Sequence, residues 1–145
     1  MLDTQVGTIV HGQSLVKLDG TRTVADAARA MADRRVGAVL VTSGDELAGI
    51  FTDRDMVDRI VAEGLDAGRM RLADYMTPDP VAITEHHTVG DAMQVMKDRR
   101  TRHVPLKRED EIVGIVSVRD LLRAVIDARD FERQRFDDLW EGIPV

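Results

Sequence analysis

The residues Gly49-Ile50-Phe51-Thr52-Asp53-Arg54-Asp55 return later in the chain as Gly114-Ile115-Val116-Ser117-Val118-Arg119-Asp120. In each copy an apolar run with the character of a buried strand reaches a hydroxyl residue, and three positions later a carboxylate opens an amphipathic helical pattern. A strand that runs straight into a helix presents first-turn N–H groups without intrahelical partners, at the positive end of the helix dipole. Such a spot accepts anions. It also admits a plainer account: Thr52 or Ser117 as N-cap and Asp55 or Asp120 at N3 make a capping box that needs no ligand.

Adding 65 to the numbering superimposes the two halves without a gap, placing Thr23 on Thr88, Gly49 on Gly114, Thr52 on Ser117 and Asp55 on Asp120. Roughly 15 of the 34 positions from Thr23 to Met56 are identical to their partners, which marks an internal duplication. In the first half, Ser14-Leu15-Val16-Lys17-Leu18 reads as a strand and Thr23 caps a helix through Ala27, Ala28, Met31 and Ala32, closed by Gly37. Ala38–Val41 and Leu47–Phe51 read as strands joined by a polar turn, and a helix follows from about Asp53 to Ala62. The second half repeats the order: strand Val81–Ile83, helix Val89–Arg99, strands His103–Leu106 and Ile112–Val116, then a helix from Val118.

The expected architecture is α/β (α+β), two βαββα repeats packed about a pseudo-twofold axis with a C-terminal helical extension. Its parts are repeat 1 with an N-terminal lead-in (1–64), a linker (65–79), repeat 2 (80–128) and a helical tail (129–145). Three of the five aromatic residues, Phe131, Phe136 and Trp140, fall in that tail. The stripe of Phe136, Leu139 and Trp140 either folds back on its own domain or forms a subunit interface.

Composition narrows the function classes. The 145 residues are 43% hydrophobic and 32% charged, an ordinary globular balance. The net charge of -6 disfavours a nucleic-acid surface. No apolar run is long enough to insert in a membrane, and Met1-Leu2-Asp3-Thr4-Gln5 has no basic or apolar targeting region, so a cytoplasmic setting is expected. Without cysteine there is no disulfide, thiolate metal site or cysteine nucleophile. His86-His87 are adjacent in a turn, unsuited to holding one metal, and no nucleophile–base pair emerges, so neither a metal nor a catalytic residue is expected. Met31 and Met96 read as core.

Thr23-Val24-x-Asp26-Ala27 with Thr88-Val89-x-Asp91-Ala92, the strand His103-Val104-Pro105-Leu106, the Gly-Ile-x-Thr/Ser-x-Arg-Asp segments and Tyr75-Met76-Thr77-Pro78 together resemble a tandem pair of CBS (cystathionine β-synthase) domains, a Bateman module. The resemblance spans about residues 8–127. It implies a regulatory protein, not an enzyme. Such pairs bind adenosine-containing ligands (AMP, ADP, ATP, S-adenosylmethionine) in clefts between the repeats, commonly as homodimers, and signal occupancy to a partner protein. Carried onto this sequence, Thr52, Asp55, Ser117 and Asp120 would face ribose and phosphate, helped by Arg102 and His103 and more weakly by Arg54 and Arg119. Val16, Lys17, Ala38 and Val39, with Val81, Ala82, Val104 and Pro105, would border adenine. Gly37-Ala38 stands where repeat 2 has Arg102-His103, so unequal sites are expected. The alternative is a ligand-free scaffold with vestigial pockets.

Overall fold

A computed structural model of the chain describes residues 2–10, 15–127 and 140–144. Phe131, Phe136 and Leu139 lie outside the described residues, as does His11-Gly12-Gln13. Two compact units form, Leu15–Pro80 and Met1–Ser14 together with Val81–Val145.

In the unit Leu15–Pro80 the elements are β1 (Lys17–Asp19), α1 (Val24–Arg34), β2 (Ala38–Ser43), β3 (Glu46–Thr52), a single turn α2 (Asp53–Asp55) running into a π-helix (Met56–Val61), α3 (Leu72–Tyr75) and β4 (Thr77–Pro78). The sheet order is β1-β2-β3-β4, with β1 parallel to β2 and the other neighbours antiparallel. Alternation along the strands sorts side chains to two faces. Val39, Val41 and Phe51 turn toward α1, where they pack with Val24, Ala27, Met31, Ile60 and Leu72. Ala38, Leu40, Ile50 and Thr52 take the opposite face, in the register Ala38↔Thr52 and Leu40↔Ile50.

The unit holding the second repeat follows the same plan with β5 (Ile83–Thr84), α4 (Val89–Arg99), β6 (His103–Arg108), β7 (Glu111–Ser117) and α5 (Val118–Asp127). Its sheet runs β5-β6-β7, parallel then antiparallel. Even the irregularity repeats: the ladder slips between Val41 and Thr42 in β2 and between Leu106 and Lys107 in β6.

Both long helices begin as their sequence requires. Thr23 Oγ1 accepts the Asp26 N–H at 3.1 Å while Asp26 returns a carboxylate oxygen to the Thr23 N–H at 3.2 Å, and Thr88 with Asp91 does the same. Their ends differ from expectation. Arg35 closes α1 in the left-handed region, φ 53°, with its N–H on the carbonyls of Met31 and Ala32, so Gly37 is not the closure. Arg100 closes α4 in the same way, φ 51°. Gly37 has another use: its carbonyl receives the Asp53 N–H at 2.9 Å.

Three further expectations change. β1 starts at Lys17, because Val16 spends its carbonyl on the Leu40 N–H but is not itself paired as strand. The helix expected from Asp53 to Ala62 is α-helical for only one turn before the i→i+5 pattern takes over, whereas α5 stays α-helical throughout. The lead-in joins repeat 2: Val6 N–H donates to His87 O and Gly7 N–H to Glu85 O, while Val89 and Gly90 donate to Thr4 and Leu2. Leu2, Val6 and Val10 thereby enter the core of Val89, Met93, Met96, Val104, Leu106, Val116 and Leu121. Residues 67–72 perform that service for repeat 1, receiving the N–H groups of Val24 and Ala25 on Met70 O and Ala67 O. Each repeat leaves the start of its first helix with open backbone donors, and the segment that precedes the other repeat in the chain fills them.

Of the tail, Ile143 is buried in the repeat 2 core and Trp140 packs against it. Trp140, the one residue of the aromatic stripe among the described residues, thus packs on its own domain.

The candidate ligand site

Each copy of the decisive stretch builds a strand-to-helix junction. At the first, Thr52 Oγ1 accepts the Asp55 N–H at 3.2 Å and Asp55 Oδ2 accepts the Thr52 N–H at 3.0 Å. At the second, Ser117 Oγ accepts the Asp120 N–H at 3.1 Å, and Asp120 Oδ2 accepts both the Ser117 N–H, at 2.9 Å, and its hydroxyl, at 3.0 Å. The first helical N–H is pinned to the neighbouring strand, Asp53 to Gly37 O and Val118 to Arg102 O, both at 2.9 Å. The hydroxyl and carboxylate are therefore held rigidly at the rim of the sheet face turned away from the helical core.

That face collects some of the expected residues and excludes others. Ala38, opposite Thr52, and Pro105, opposite Ile115 and two residues from His103↔Ser117, share it. Lys17, paired with Leu40 and exposed, projects to it as well, at the position Ala82 holds in repeat 2. Val39 and Val104 do not: both are fully buried among the residues facing the helices, and Val16 packs on that side too. Their side chains serve the helical core. Val81 is 36% exposed.

The basic residues are equally unequal. Arg54 lies along its own helix, Nε 2.9 Å from Asp58 Oδ2, and is spent on that surface ion pair. Arg119 is exposed. Arg102 and His103 sit half-buried at the start of β6, where the backbone of Arg102 already holds the start of α5. The histidine pair is explained locally: His87 Nδ1 accepts the Thr84 N–H at 2.8 Å and closes the turn.

Arg59 carries no motif in the sequence, yet it is part of this geometry. Its Nε stands 3.6 Å from Asp55 Oδ1 and its Nη1 donates to the carbonyls of Tyr75, at 2.7 Å, and Met76, at 3.2 Å. The sequence signal was a contrast, since position 59 superimposes on Ala124. Among the described residues there is no group of three His, Asp or Glu side chains able to hold a metal, and no helix long and apolar enough to cross a membrane.

Comparison with known proteins places this geometry. The family model of the CBS domain matches residues 6–62 and 72–127. The chain is 35% identical over 125 residues to CBS domain-containing protein CBSX3, mitochondrial, of Arabidopsis thaliana, covering 83% of this chain and 61% of that protein. It is 37% identical over 111 residues to CBSCBSPB2 of the same plant, covering 76% of this chain and 20% of the other, so it spans only part of these relatives. Among solved structures, a CBS domain protein of Pyrobaculum aerophilum complexed with AMP superimposes with TM-score 0.74 at 26% identity, over 93% of this chain and 97% of that one. The chain belongs to the CBS domain family, as a tandem pair of CBS domains.

Proposed function

We propose that the chain is a regulatory module that binds an adenosine-containing ligand at a hydroxyl-x-x-Asp motif and passes occupancy to a partner protein. The observation that carries this is the Ser117–Asp120 junction, which offers a fixed carboxylate with one oxygen unengaged among the described residues, beside the N-terminus of the ten-residue helix α5. A carboxylate oxygen so placed can accept from ribose hydroxyls, and the helix start favours a phosphate. The Pyrobaculum relative in complex with AMP supports the ligand class.

The scaffold alternative has its own support. Four junctions in this chain use the same reciprocal cap, and those at Thr23–Asp26 and Thr88–Asp91 begin ordinary helices. A cap alone therefore argues for nothing beyond helix initiation. A thermal-shift series with AMP, ADP, ATP and S-adenosylmethionine separates the two. Ligand at one hundred times its dissociation constant adds about 2.7 kcal/mol, a shift of several degrees; no shift with any of them leaves the scaffold role.

The module would act as a homodimer. In support, Val61 and Ile126 occupy equivalent positions on the final helices of the two repeats and are 67% and 73% exposed. Sedimentation of Val61→Asp and Ile126→Asp tests this, and a monomeric wild-type chain at working concentration would exclude it.

A further inference from the structure

The two copies of the motif share a backbone and differ in what their polar groups have left to offer. In repeat 1 every first-turn donor is taken within the chain. Asp53 N–H goes to Gly37 O, Arg54 N–H to Asp53 Oδ1 at 2.8 Å, and Asp55 N–H to Thr52 Oγ1. Both oxygens of Asp55 are occupied as well, Oδ2 by the Thr52 N–H and Oδ1 by the Arg59 guanidinium. Asp55 is only 16% exposed, so this pairing is better shielded than most surface ion pairs. Arg59 in turn reaches the carbonyls of Tyr75 and Met76.

In repeat 2 the Val118 and Asp120 N–H groups are taken in the same way, by Arg102 O and Ser117 Oγ, but two other groups differ. Val118 replaces Asp53 and Ala124 replaces Arg59, so among the described residues no side chain takes the Arg119 N–H and Asp120 Oδ1 has no partner. The helix form differs in step. Arg59 lies in the π-helix, four residues after Asp55 and within ion-pair distance of it.

We infer that Arg59 has converted the repeat 1 motif into a structural clasp, which ties Asp55 to the Tyr75–Met76 segment, and that ligand binding is confined to the Ser117–Asp120 motif of repeat 2. The second half of this statement rests on the sensing role proposed above; the first half does not. A clasp has a ready use here. The carbonyls it holds belong to the end of α3, just before β4, the segment that completes the repeat 1 sheet.

The test combines calorimetric titration of AMP and ATP with amide hydrogen exchange, on the wild-type chain and on Asp55→Asn, Arg59→Met and Asp120→Asn. Wild type should bind at one site per chain. Asp120→Asn should weaken binding at least tenfold and leave exchange at residues 75–78 unchanged. Asp55→Asn and Arg59→Met should keep the affinity within about threefold while exchange at 75–78 accelerates several-fold. Loss of affinity in Asp55→Asn equal to that in Asp120→Asn overturns the inference and leaves the sensing role intact. Unchanged exchange in both Asp55→Asn and Arg59→Met overturns the clasp. Absence of any binding to wild type removes the sensing role and the confinement to repeat 2 with it, while the exchange data still decide the clasp.

Discussion

Replacing Gly49 by alanine tests how tightly β4 is held against β3. A Cβ at this position would lie 2.5 Å from Met76 Sδ, 2.9 Å from Met76 Cγ and 2.6 Å from the Thr77 carbonyl oxygen. The thioether can swing aside, since it ends a flexible side chain. The carbonyl cannot, because Thr77 and Pro78 are paired with Ile50 and Gly49 and Asp79 N–H donates to Ala48 O at 3.2 Å. Relief thus requires β4 to move off the sheet. Overpacking of this kind costs about 1–3 kcal/mol, and a strained or lost backbone hydrogen bond adds about 1 kcal/mol. The gain from removing a strand glycine returns about 0.5–1 kcal/mol. We expect a net loss of about 1–3.5 kcal/mol, read as a lower urea midpoint by circular dichroism at unchanged slope. Introducing Gly49→Ala into a Met76→Ala background isolates the backbone contribution, and at least half of the loss should remain there. A loss within 0.5 kcal/mol of zero, or full rescue by Met76→Ala, refutes the claim that the Thr77 carbonyl sets the cost.

Three other outcomes follow from the fold. The guanidinium of Arg22 and the N–H of Thr23 hold the Asp26 carboxyl down to about 2, so its contribution is present above the ordinary carboxylate range and is lost as pH falls from about 4 toward 2; Asp26→Asn should flatten that limb of an acid-unfolding curve, and an unchanged limb counts against the Arg22–Asp26 pair. Val6→Ala removes two fully buried methyl groups from the repeat 2 core and should cost about 1.5–2 kcal/mol, with faster exchange in α4; a silent substitution would mean the lead-in is not part of that core. Arg100→Gly places glycine at φ 51° and should stabilise by about 0.5–1 kcal/mol in chemical denaturation, with destabilisation as the refuting result.

Much of this architecture was written in local pattern. The caps at Thr23 and Thr88, the alternation in Ala38–Val41 and His103–Leu106, and the repeat itself are short-range signals, and the strands and helices fall where these put them. What escaped was set by contacts distant in sequence or by competition at a boundary. Arg35 and Arg100 adopt left-handed backbone because their N–H groups reach carbonyls of the last helical turn, which outweighs the steric preference for glycine. Glycine at 37 marked the right neighbourhood and the wrong residue. The lead-in attaches to repeat 2 through Val6 and Gly7, which carry too few apolar residues to announce a partner 80 positions away.

The site shows the same division more sharply. Motif matching treats Thr52–Asp55 and Ser117–Asp120 as equals, and at the level of the cap they are equal to within 0.1 Å in three corresponding contacts. Their chemistry separates at two substitutions outside the matched hydroxyl and carboxylate, Asp53 for Val118 and Arg59 for Ala124. Neither substitution means much alone: an arginine four residues after an aspartate is an ordinary helix pair worth a few tenths of a kcal/mol. It gains a role because Tyr75 and Met76 bring two carbonyls to the same guanidinium, which orients it toward Asp55 although the arginine side chain is 44% exposed. Duplication supplies two motifs of equal form, and under the inference above one added cation is enough to spend one of them on the fold.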